Sequence, residues 1–272
     1  MAIIAVGDIE LDYERTAPPS GRSGPPLLLI MGRSGTYSHW GEPFLAELRR
    51  DFEVIVYDHR GVGASSRLEA SLTIRQMAED AAGLLSALEI DSAHVLGISM
   101  GGMVAQELVL AEPERVVTLT LGCTYCGGPG SVHTGREVRE RLAEAIQSGD
   151  PERIVRASWE ANVSPGFAAD HAAWARFCEV SLRRRVALAV IAEQTNACIA
   201  HDTSARLSEV TPPTLLIHGT VDEILPVHNA HMMAELMPDA RLEIYEDVGH
   251  LFFWERPERS AELLRAHAAT HA

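Results

Sequence analysis

The sequence predicts an α/β protein with a mostly parallel, doubly wound sheet and an inserted helical cap. Three observations support this fold class. Short apolar runs alternate with segments of helical periodicity along most of the 272 residues. Two of the runs, 27–31 and 54–57, are apolar throughout, as in strands that are buried on both faces. The alternation stops once, between about residues 124 and 204. Ligands of such a fold are expected at the carboxyl ends of the strands.

Apolar runs bounded by turn residues predict the strands. Two short strands at 2–6 and 9–15 surround Gly7-Asp8, and a linker rich in Pro, Gly and Ser follows at 17–26. Strands buried on both faces are then expected at 27–31 and 54–57, and further strands at 93–98, 116–121, 213–218 and 241–245.

Helices are predicted where apolar residues recur every three or four positions. In segment 73–89, Thr73 and Gln76 form a capping box ahead of a helical apolar pattern. Further helices are expected at about 100–112, 227–237 and 256–268.

The segment 124–204 shows helical periodicity and contains no run typical of a buried strand. A helical insertion between two parallel strands should lie over the carboxyl edge of the sheet, where lids are found. We therefore expect a core formed by 1–123 and 205–272, with a cap at 124–204.

Charge argues against several classes of partner. The chain has 38 acidic and 23 basic residues, a net charge of −15, and such a surface repels nucleic acid and anionic lipid. The one dense basic run, Arg183-Arg184-Arg185, is interpreted as a solvated helix face near Glu179 and Glu193. No apolar run is long enough to span a membrane, and the first residues lack a basic leader region. A cytoplasmic protein without nucleic acid or membrane partners is expected.

The cysteines do not predict a disulfide framework. Four cysteines in a chain of this length are too sparse for one, and Cys123 and Cys126 form a single CxxC without a second pair for zinc. We interpret all four as small buried hydrophobic side chains, with a redox role as the less favoured alternative. They are Cys123, Cys126, Cys178 and Cys198.

No metal or cofactor is predicted. His228 and His231 are three residues apart, but no HExxH or comparable ligand set accompanies them. The glycines of Gly61-Val62-Gly63 and Gly127-Gly128-Pro129-Gly130 lack the spacing of a dinucleotide or phosphate loop.

The strongest chemical signal is Gly97-Ile98-Ser99-Met100-Gly101, which lies directly after a predicted strand and directly before a predicted helix. A serine at such a sharp turn has an exposed hydroxyl, and the flanking glycines leave room for the strained backbone. Small residues also cluster in ordinary tight turns, but the strand and helix on either side favour a nucleophile at Ser99.

A serine nucleophile needs a base to accept its proton. Twelve histidines compete for this role, and most of them are expected to be surface or satisfied core residues; among these are His218, His228 and His231. His250 differs because it follows the last predicted strand, at the edge where Ser99 also lies.

The base in turn needs an acid to orient it. Asp222 follows the strand 213–218 at the same edge, whereas the loop after the strand 116–121 contains no carboxylate. Glu223 and Asp247 are the alternatives, and each is more typical of a solvated loop charge.

Taken together, these motifs resemble the α/β-hydrolase superfamily, and specifically small bacterial esterases and lactonases with an inserted helical cap. The resemblance extends over essentially the whole chain. The matching features are the GxSxG turn, the chain order Ser99, Asp222, His250, the turn Asp58-His59-Arg60-Gly61-Val62-Gly63-Ala64-Ser65, and Gly249-His250 with Glu255-Arg256-Pro257.

The resemblance also implies an oxyanion hole made of two backbone N–H groups. One is expected from Met100, next to the nucleophile. The other is expected from Arg33 in Met31-Gly32-Arg33-Ser34-Gly35, where the family commonly has His-Gly before the donor. The Arg33 side chain is expected to face solvent or to pair with a carboxylate, with an anionic end of the substrate as the alternative.

The expected function is hydrolysis of a small carboxylic ester or lactone through an acyl-enzyme, with no cofactor. Two alternatives stay open: the same triad used for C–C bond hydrolysis, lyase or acyl-transfer chemistry, and a ligand sensor with slow turnover. Substrate contacts are expected from apolar side chains, which equally could pack the cap onto the sheet. They are Met31, Trp159, Phe167, Trp174, Phe252 and Phe253.

Overall fold

An eight-stranded sheet runs through the centre of the computed structural model, which describes residues 2–19 and 24–270. The strands lie in the order β1-β2-β4-β3-β5-β6-β7-β8. From β3 onward every pairing is parallel, whereas β2 pairs antiparallel with both β1 and β4. The strands are β1 (Ala2–Val6), β2 (Ile9–Thr16), β3 (Pro26–Ile30), β4 (Glu53–Tyr57), β5 (Ala93–Ile98), β6 (Val116–Gly122), β7 (Thr214–Gly219) and β8 (Ala240–Tyr245).

Helices cover both faces of this sheet. They are α1 (Glu42–Leu48), α2 (Ile74–Ala87), α3 (Met100–Ala111), α4 (Arg136–Gln147), α5 (Pro151–Asn162), α6 (Pro165–Ala168), α7 (His171–Arg183), α8 (Leu188–Ala200), α9 (His228–Leu236), α10 (Phe252–Glu255) and α11 (Pro257–Ala269). Single 3₁₀ turns lie at Tyr37–Trp40, Pro113–Arg115 and Leu207–Glu209.

The predicted fold class is confirmed, and the predicted strands agree with the observed ones to within one or two residues. At the start of α2, the Thr73 hydroxyl accepts a hydrogen bond from the N–H of Gln76 at 3.1 Å, as a capping residue should. The short helices α1 and α10 were missed because four to seven residues give too few turns for periodicity to show. Part of the predicted linker at 17–26, residues 20–23, lies outside the described residues.

The sheet separates two apolar cores. On β3, Leu28 and Ile30 face a core shared with α2, α3 and α9, whereas Leu27 and Leu29 face a core shared with α1, α10 and α11. Alternating side chains of one strand thus fill both layers, which is why the strand sequence is apolar at every position.

The segment between β6 and β7 contains five helices, α4 to α8, and none of its described residues forms a strand. Aromatic side chains pack it onto the core. Trp159 of α5 lies 4.9 Å from the ring of Phe177 and 5.9 Å from that of Trp254, which follows β8. The limits 124–204 of a separate cap stay a prediction. We use "cap" below for the helices α4 to α8 and their loops.

The expectation of a solvated face at Arg183-Arg184-Arg185 is wrong for its middle residue. Arg183 pairs with Glu179 at the surface. Arg184 instead points inward, where its guanidinium lies 2.8 Å from the carboxylate of Asp12 and 3.4 Å from that of Asp58. Helix α7 ends at Arg183, and the change of chain direction turns the next side chain toward the core.

Two of the four cysteines are buried, as expected, namely Cys123 and Cys126. Cys178 of α7 and Cys198 of α8 are partly exposed, so the expectation of full burial is wrong for them. Among the helices of the described chain, none combines the length and apolar character needed to cross a membrane.

Candidate active site

Ser99 occupies a strained turn between β5 and α3. Its backbone has φ 56° and ψ −121°, a conformation that side chains other than glycine rarely adopt. The turn is possible because the neighbouring residues lack side chains. A Cβ on Gly97 would lie 2.2 Å from the carbonyl oxygen of Gly101, and one on Gly101 would lie 2.0 Å from that of Ile30. The GxSxG spacing is therefore a steric requirement of this turn.

The ends of neighbouring strands fix the position of this serine. Its N–H donates to the carbonyl oxygen of Gly122 at the end of β6, at 2.9 Å, and its own carbonyl accepts from the Thr124 hydroxyl at 2.6 Å. On the other side is Gly32, where a Cβ would lie 3.1 Å from Ser99 Cβ and 3.7 Å from its Oγ. The loop after β3 thus runs directly past the hydroxyl.

Asp222 and His250 form a buried hydrogen-bonded pair at the same edge of the sheet. Nδ1 of His250, in the loop after β8, lies 2.7 Å from Oδ2 of Asp222, in the loop after β7. The other carboxylate oxygen, Oδ1, accepts from the N–H groups of Ile224 and Leu225 at 2.8 and 2.9 Å. Since Nδ1 faces the carboxylate, it carries the proton, and Nε2 is left as the basic nitrogen.

His218 makes a further contact with this carboxylate that the sequence reasoning missed. Its Nε2 lies 3.2 Å from Oδ2 of Asp222 and 2.7 Å from the carbonyl oxygen of Leu225. Both neighbours are acceptors, so Nε2 is the protonated nitrogen. The available signal was its position at the end of β7, four residues before the aspartate.

These contacts keep the carboxylate ionised. Burial by itself would raise the pKa of Asp222, but the charge of His250 and the hydrogen bonds from His218 and His250 hold it well below its usual range. A carboxylate that stays ionised can stabilise a positive charge on His250.

The alternative acids do not contact His250 in the described structure. Glu223 pairs with Arg141 of α4 at 2.5 Å. The Asp247 side chain is exposed, and its backbone N–H donates to the Thr220 hydroxyl. Of the three candidate acids, Asp222 is the one that the structure brings to the histidine.

Comparison with known proteins identifies the family of this chain. The family model described as "Alpha/beta hydrolase family" matches residues 27–263. The chain belongs to this family. A relative from Azorhizobium caulinodans, named a putative carbamate hydrolase RutD, is 31% identical over 95% of this chain and 94% of its own.

Solved structures agree with this membership. A hydrolase from Pseudomonas aeruginosa superposes with a TM-score of 0.82 at 28% identity, covering 98% of this chain and 97% of its own. A thermophilic esterase from Thermogutta terrifontis superposes with a TM-score of 0.78 at 26% identity, covering 100% and 99% respectively. Both of these solved structures are named as hydrolytic enzymes, a hydrolase and an esterase.

A buried thiol lies beside the acid and the base of this α/β hydrolase. Cys123 follows β6, and its sulfur lies within 4.8 Å of the nearest ligand atoms of Asp222 and His250. Burial raises the pKa of the Cys123 thiol well above its ordinary value, so this sulfur is a protonated, weakly polar neighbour of the pair.

The loop after β3 lies between the core and the cap. His59 Nε2 lies 2.9 Å from the carbonyl oxygen of Met31 and supports the loop where the family commonly has its own histidine. The N–H of Ser34 donates to Oε1 of Gln194, and the Arg33 guanidinium donates to the Thr195 hydroxyl at 3.1 Å. The expected solvent exposure of Arg33 is observed, but its partner is a hydroxyl rather than a carboxylate.

Met100 is the first residue of α3, where backbone N–H groups have no acceptor within the helix. Arg33 directly follows Gly32, whose backbone passes close to Ser99. Oxyanion binding by the N–H groups of Met100 and Arg33 stays a prediction.

The expectation of substrate contacts is wrong for Trp159, Phe252 and Phe253. Their relative exposures are 0%, 0% and 1%, so they offer no surface to a ligand. Phe253 packs against Trp40 at 4.7 Å in the core, and Phe252 packs against Tyr245 at 6.0 Å.

The other three residues that were expected to contact substrate also pack against protein side chains. The rings of Phe167 and Trp174 border Trp159 at 5.6 and 6.4 Å but are partly exposed. Met31 is 4% exposed and lies under Gly35, where a Cβ would come within 2.8 Å of its side chain. For these three residues a substrate contact stays a prediction.

Proposed function

We propose that this α/β hydrolase cleaves small carboxylic esters or lactones by serine catalysis. The observation that carries the proposal is the buried pair of His250 and Asp222 at the carboxyl edge where Ser99 occupies its strained turn. The separation of 2.7 Å is a charge-assisted hydrogen bond, and it leaves Nε2 of His250 free to act as a base.

In the proposed reaction the Ser99 hydroxyl attacks the substrate carbonyl and His250 accepts its proton. The N–H groups of Met100 and Arg33 stabilise the oxyanion that forms. His250 then protonates the leaving alcohol, or the ring oxygen of a lactone, as the tetrahedral intermediate collapses to an acyl-enzyme. Water attacks this ester with the same base, and the acid is released. Asp222 orients His250 throughout and stabilises its positive charge.

A second candidate is hydrolysis of a carbamate. It is favoured by the relative from Azorhizobium, whose name states this activity as putative. A carbamate carbonyl passes through the same kind of tetrahedral intermediate, so the same three side chains could serve. Nitrogen donation makes this carbonyl less reactive, and slower acylation is expected than for an ester of the same alcohol.

Covalent labelling tests the nucleophile without knowledge of the substrate. A fluorophosphonate probe should label the wild type at Ser99, and label should be lost in Ser99→Ala and strongly slowed in His250→Ala. Ser208→Ala, which removes an exposed hydroxyl on the 3₁₀ turn Leu207–Glu209, is the matched control and should label normally. Label that persists in Ser99→Ala would show that the nucleophile is another residue.

A substrate series tests the reaction. Short p-nitrophenyl esters, small lactones and aryl carbamates should be compared by kcat/KM on unlabelled enzyme, from a preparation of which a separate sample is labelled completely by the probe. We expect turnover of esters or lactones to exceed that of carbamates. The reverse order would favour the second candidate. No turnover in any of the three groups, with Ser99 still labelled, would reject both and leave the nucleophile assignment intact.

A further inference from the structure

The loop that carries His250 is held on both sides by one turn of the cap. This turn, residues 162–164, joins α5 to α6. After the histidine, the N–H of Leu251 donates to the carbonyl oxygen of Asn162 at 2.8 Å. Before it, a Cβ on Gly249 would lie 2.6 Å from the backbone carbon of Val163. The cap therefore lies directly against the chain on either side of His250.

Glu255 joins the same two segments through its carboxylate. Its Oε1 accepts from the N–H of Gly249 and from the N–H of Ser164, each at 2.8 Å. Its Oε2 accepts from the Ser164 hydroxyl at 2.5 Å. One side chain thus connects the residue before His250 to the cap.

A buried carboxylate such as that of Glu255 is uncommon where the only role is to connect two loops. It is 6% exposed, and burial of a charge is costly unless hydrogen bonds compensate it. These three partners are uncharged donors, two of them backbone N–H groups, and a carboxylate can accept hydrogen bonds from all three together. An amide here would lose the negative charge that strengthens all three hydrogen bonds, and its NH₂ group would face the Ser164 hydroxyl, which would have to change from donor to acceptor.

We propose that Glu255 is a positioning residue that holds His250 in its reactive place by tying the His250 loop to the cap turn 162–164. The proposal rests on the proposed role of His250 as the base. The segment around this turn then belongs to the catalytic framework, and the cap is docked here rather than free to open. Acylation of Ser99 should depend on these hydrogen bonds although Glu255 contacts no reacting atom.

The test measures the rate constant of fluorophosphonate labelling together with the fraction of molecules labelled at completion. Glu255→Gln should slow labelling about 10- to 100-fold, the effect expected when a base is misplaced by a fraction of an ångström to an ångström. Ser164→Ala removes a single hydrogen bond from the same carboxylate and should slow it less, about 3- to 10-fold. In both variants the fraction finally labelled should stay near that of the wild type.

The control is Glu160→Gln, which changes an exposed carboxylate of α5 that pairs with Arg156. It should label at the wild-type rate. A purely structural role for Glu255 would lower the melting temperature and the fraction labelled while the rate constant of the folded molecules stayed unchanged, and this result would overturn the proposal. So would a rate within twofold of the wild type in folded Glu255→Gln.

If Glu255→Gln does not fold, Ser164→Ala decides the question by the same criteria, since it leaves the buried carboxylate and its two backbone donors in place. Failure of this proposal is distinct from failure of the proposed function. Normal labelling of the Glu255 and Ser164 variants, with no labelling of Ser99→Ala, would reject the positioning role and leave the nucleophile intact. Labelling of Ser99→Ala would reject the nucleophile itself.

Discussion

Two buried aspartates, Asp222 after β7 and Asp58 after β4, follow parallel strands and have side chains that are 0% exposed. The pKa values of the two carboxyl groups nevertheless shift in opposite directions from the ordinary value of an aspartate. The pKa of Asp222 lies well below its usual range, whereas burial raises that of Asp58 from 3.8 to about 6. Burial is common to both, so it cannot by itself explain the difference.

The donors around each carboxylate explain it. Asp222 accepts from two backbone N–H groups, from His250 and from His218. Asp58 has one backbone donor, Tyr37, at 2.6 Å, and it shares Arg184 with a second buried carboxylate, Asp12.

A full set of donors holds the Asp222 carboxylate ionised. A shared cation leaves the other closer to neutral, because desolvation is the larger effect there and the negative charge of Asp12 adds to it.

The largest expected effect separates the two aspartates by function. Asp222→Asn should lower kcat/KM by about 10⁴-fold, because an amide donates to Nδ1 and stabilises the wrong tautomer of His250. Asp58→Asn is the matched control, the same substitution at an equally buried site, and should stay within a few-fold of the wild type. The measurement is ester hydrolysis together with the rate of fluorophosphonate labelling. Similar losses in the two variants would contradict the assignment of the acid.

The second effect concerns stability. Arg184→Met leaves the carboxylates of Asp12 and Asp58 buried without the cation that they share, and should cost about 3–5 kcal/mol in the free energy of unfolding at pH 7. Arg183→Met removes a neighbouring arginine that pairs with Glu179 at the surface and should cost less than about 1 kcal/mol. Urea denaturation measures both. Equal losses would indicate that the buried carboxylates of Asp12 and Asp58 do not depend on Arg184 for stability.

The smallest effect is the pH dependence of stability due to Asp58. Between pH 4 and pH 6 the folded protein holds a proton that the unfolded chain has released, so this group lowers the free energy of unfolding as the pH rises. Because an asparagine does not titrate, Asp58→Asn removes this decrease in the free energy of unfolding with rising pH.

The stability of Asp58→Asn relative to the wild type should therefore increase across this range, by up to about 3 kcal/mol. Urea denaturation at pH 4, 5, 6 and 6.5 checks it. Asp222, with its lowered pKa, acts in the opposite sense, since its contribution is present above pH 4 and is lost as the pH falls further. A relative stability of Asp58→Asn that does not change with pH would contradict the raised pKa.

Much of the candidate site could be predicted from local sequence. The GxSxG turn has a steric cause that lies within five consecutive residues and the end of β3. Asp222 and His250 each follow a predicted strand, and parallel strands bring their carboxyl ends to one edge. The contacts of His218, Glu255 and Arg184 could not be predicted, since each joins side chains to loops that are brought together by packing of distant segments.

The aromatic residues show the same limit. From the sequence, Trp159 could equally line a substrate pocket or pack in the core, because a large aromatic residue at this helical spacing is typical of both. Only the packing of Phe177 and Trp254 around it decides that it is core. The exposure of a side chain depends on how the layers of the fold pack together, so it cannot be predicted from one segment of the sequence.

For this protein the sequence by itself determined the fold class, the order of strands and helices, and the three residues expected to act on a carbonyl. These features depend on periodicity, on turn chemistry and on chain order, which are local or one-dimensional. Tertiary structure alone decided which carboxylate stays ionised, how the cap is tied to the His250 loop and which aromatic residues are buried. The reason is physical: desolvation and hydrogen-bond geometry depend on every group that surrounds an atom, and most of those groups are far away along the chain.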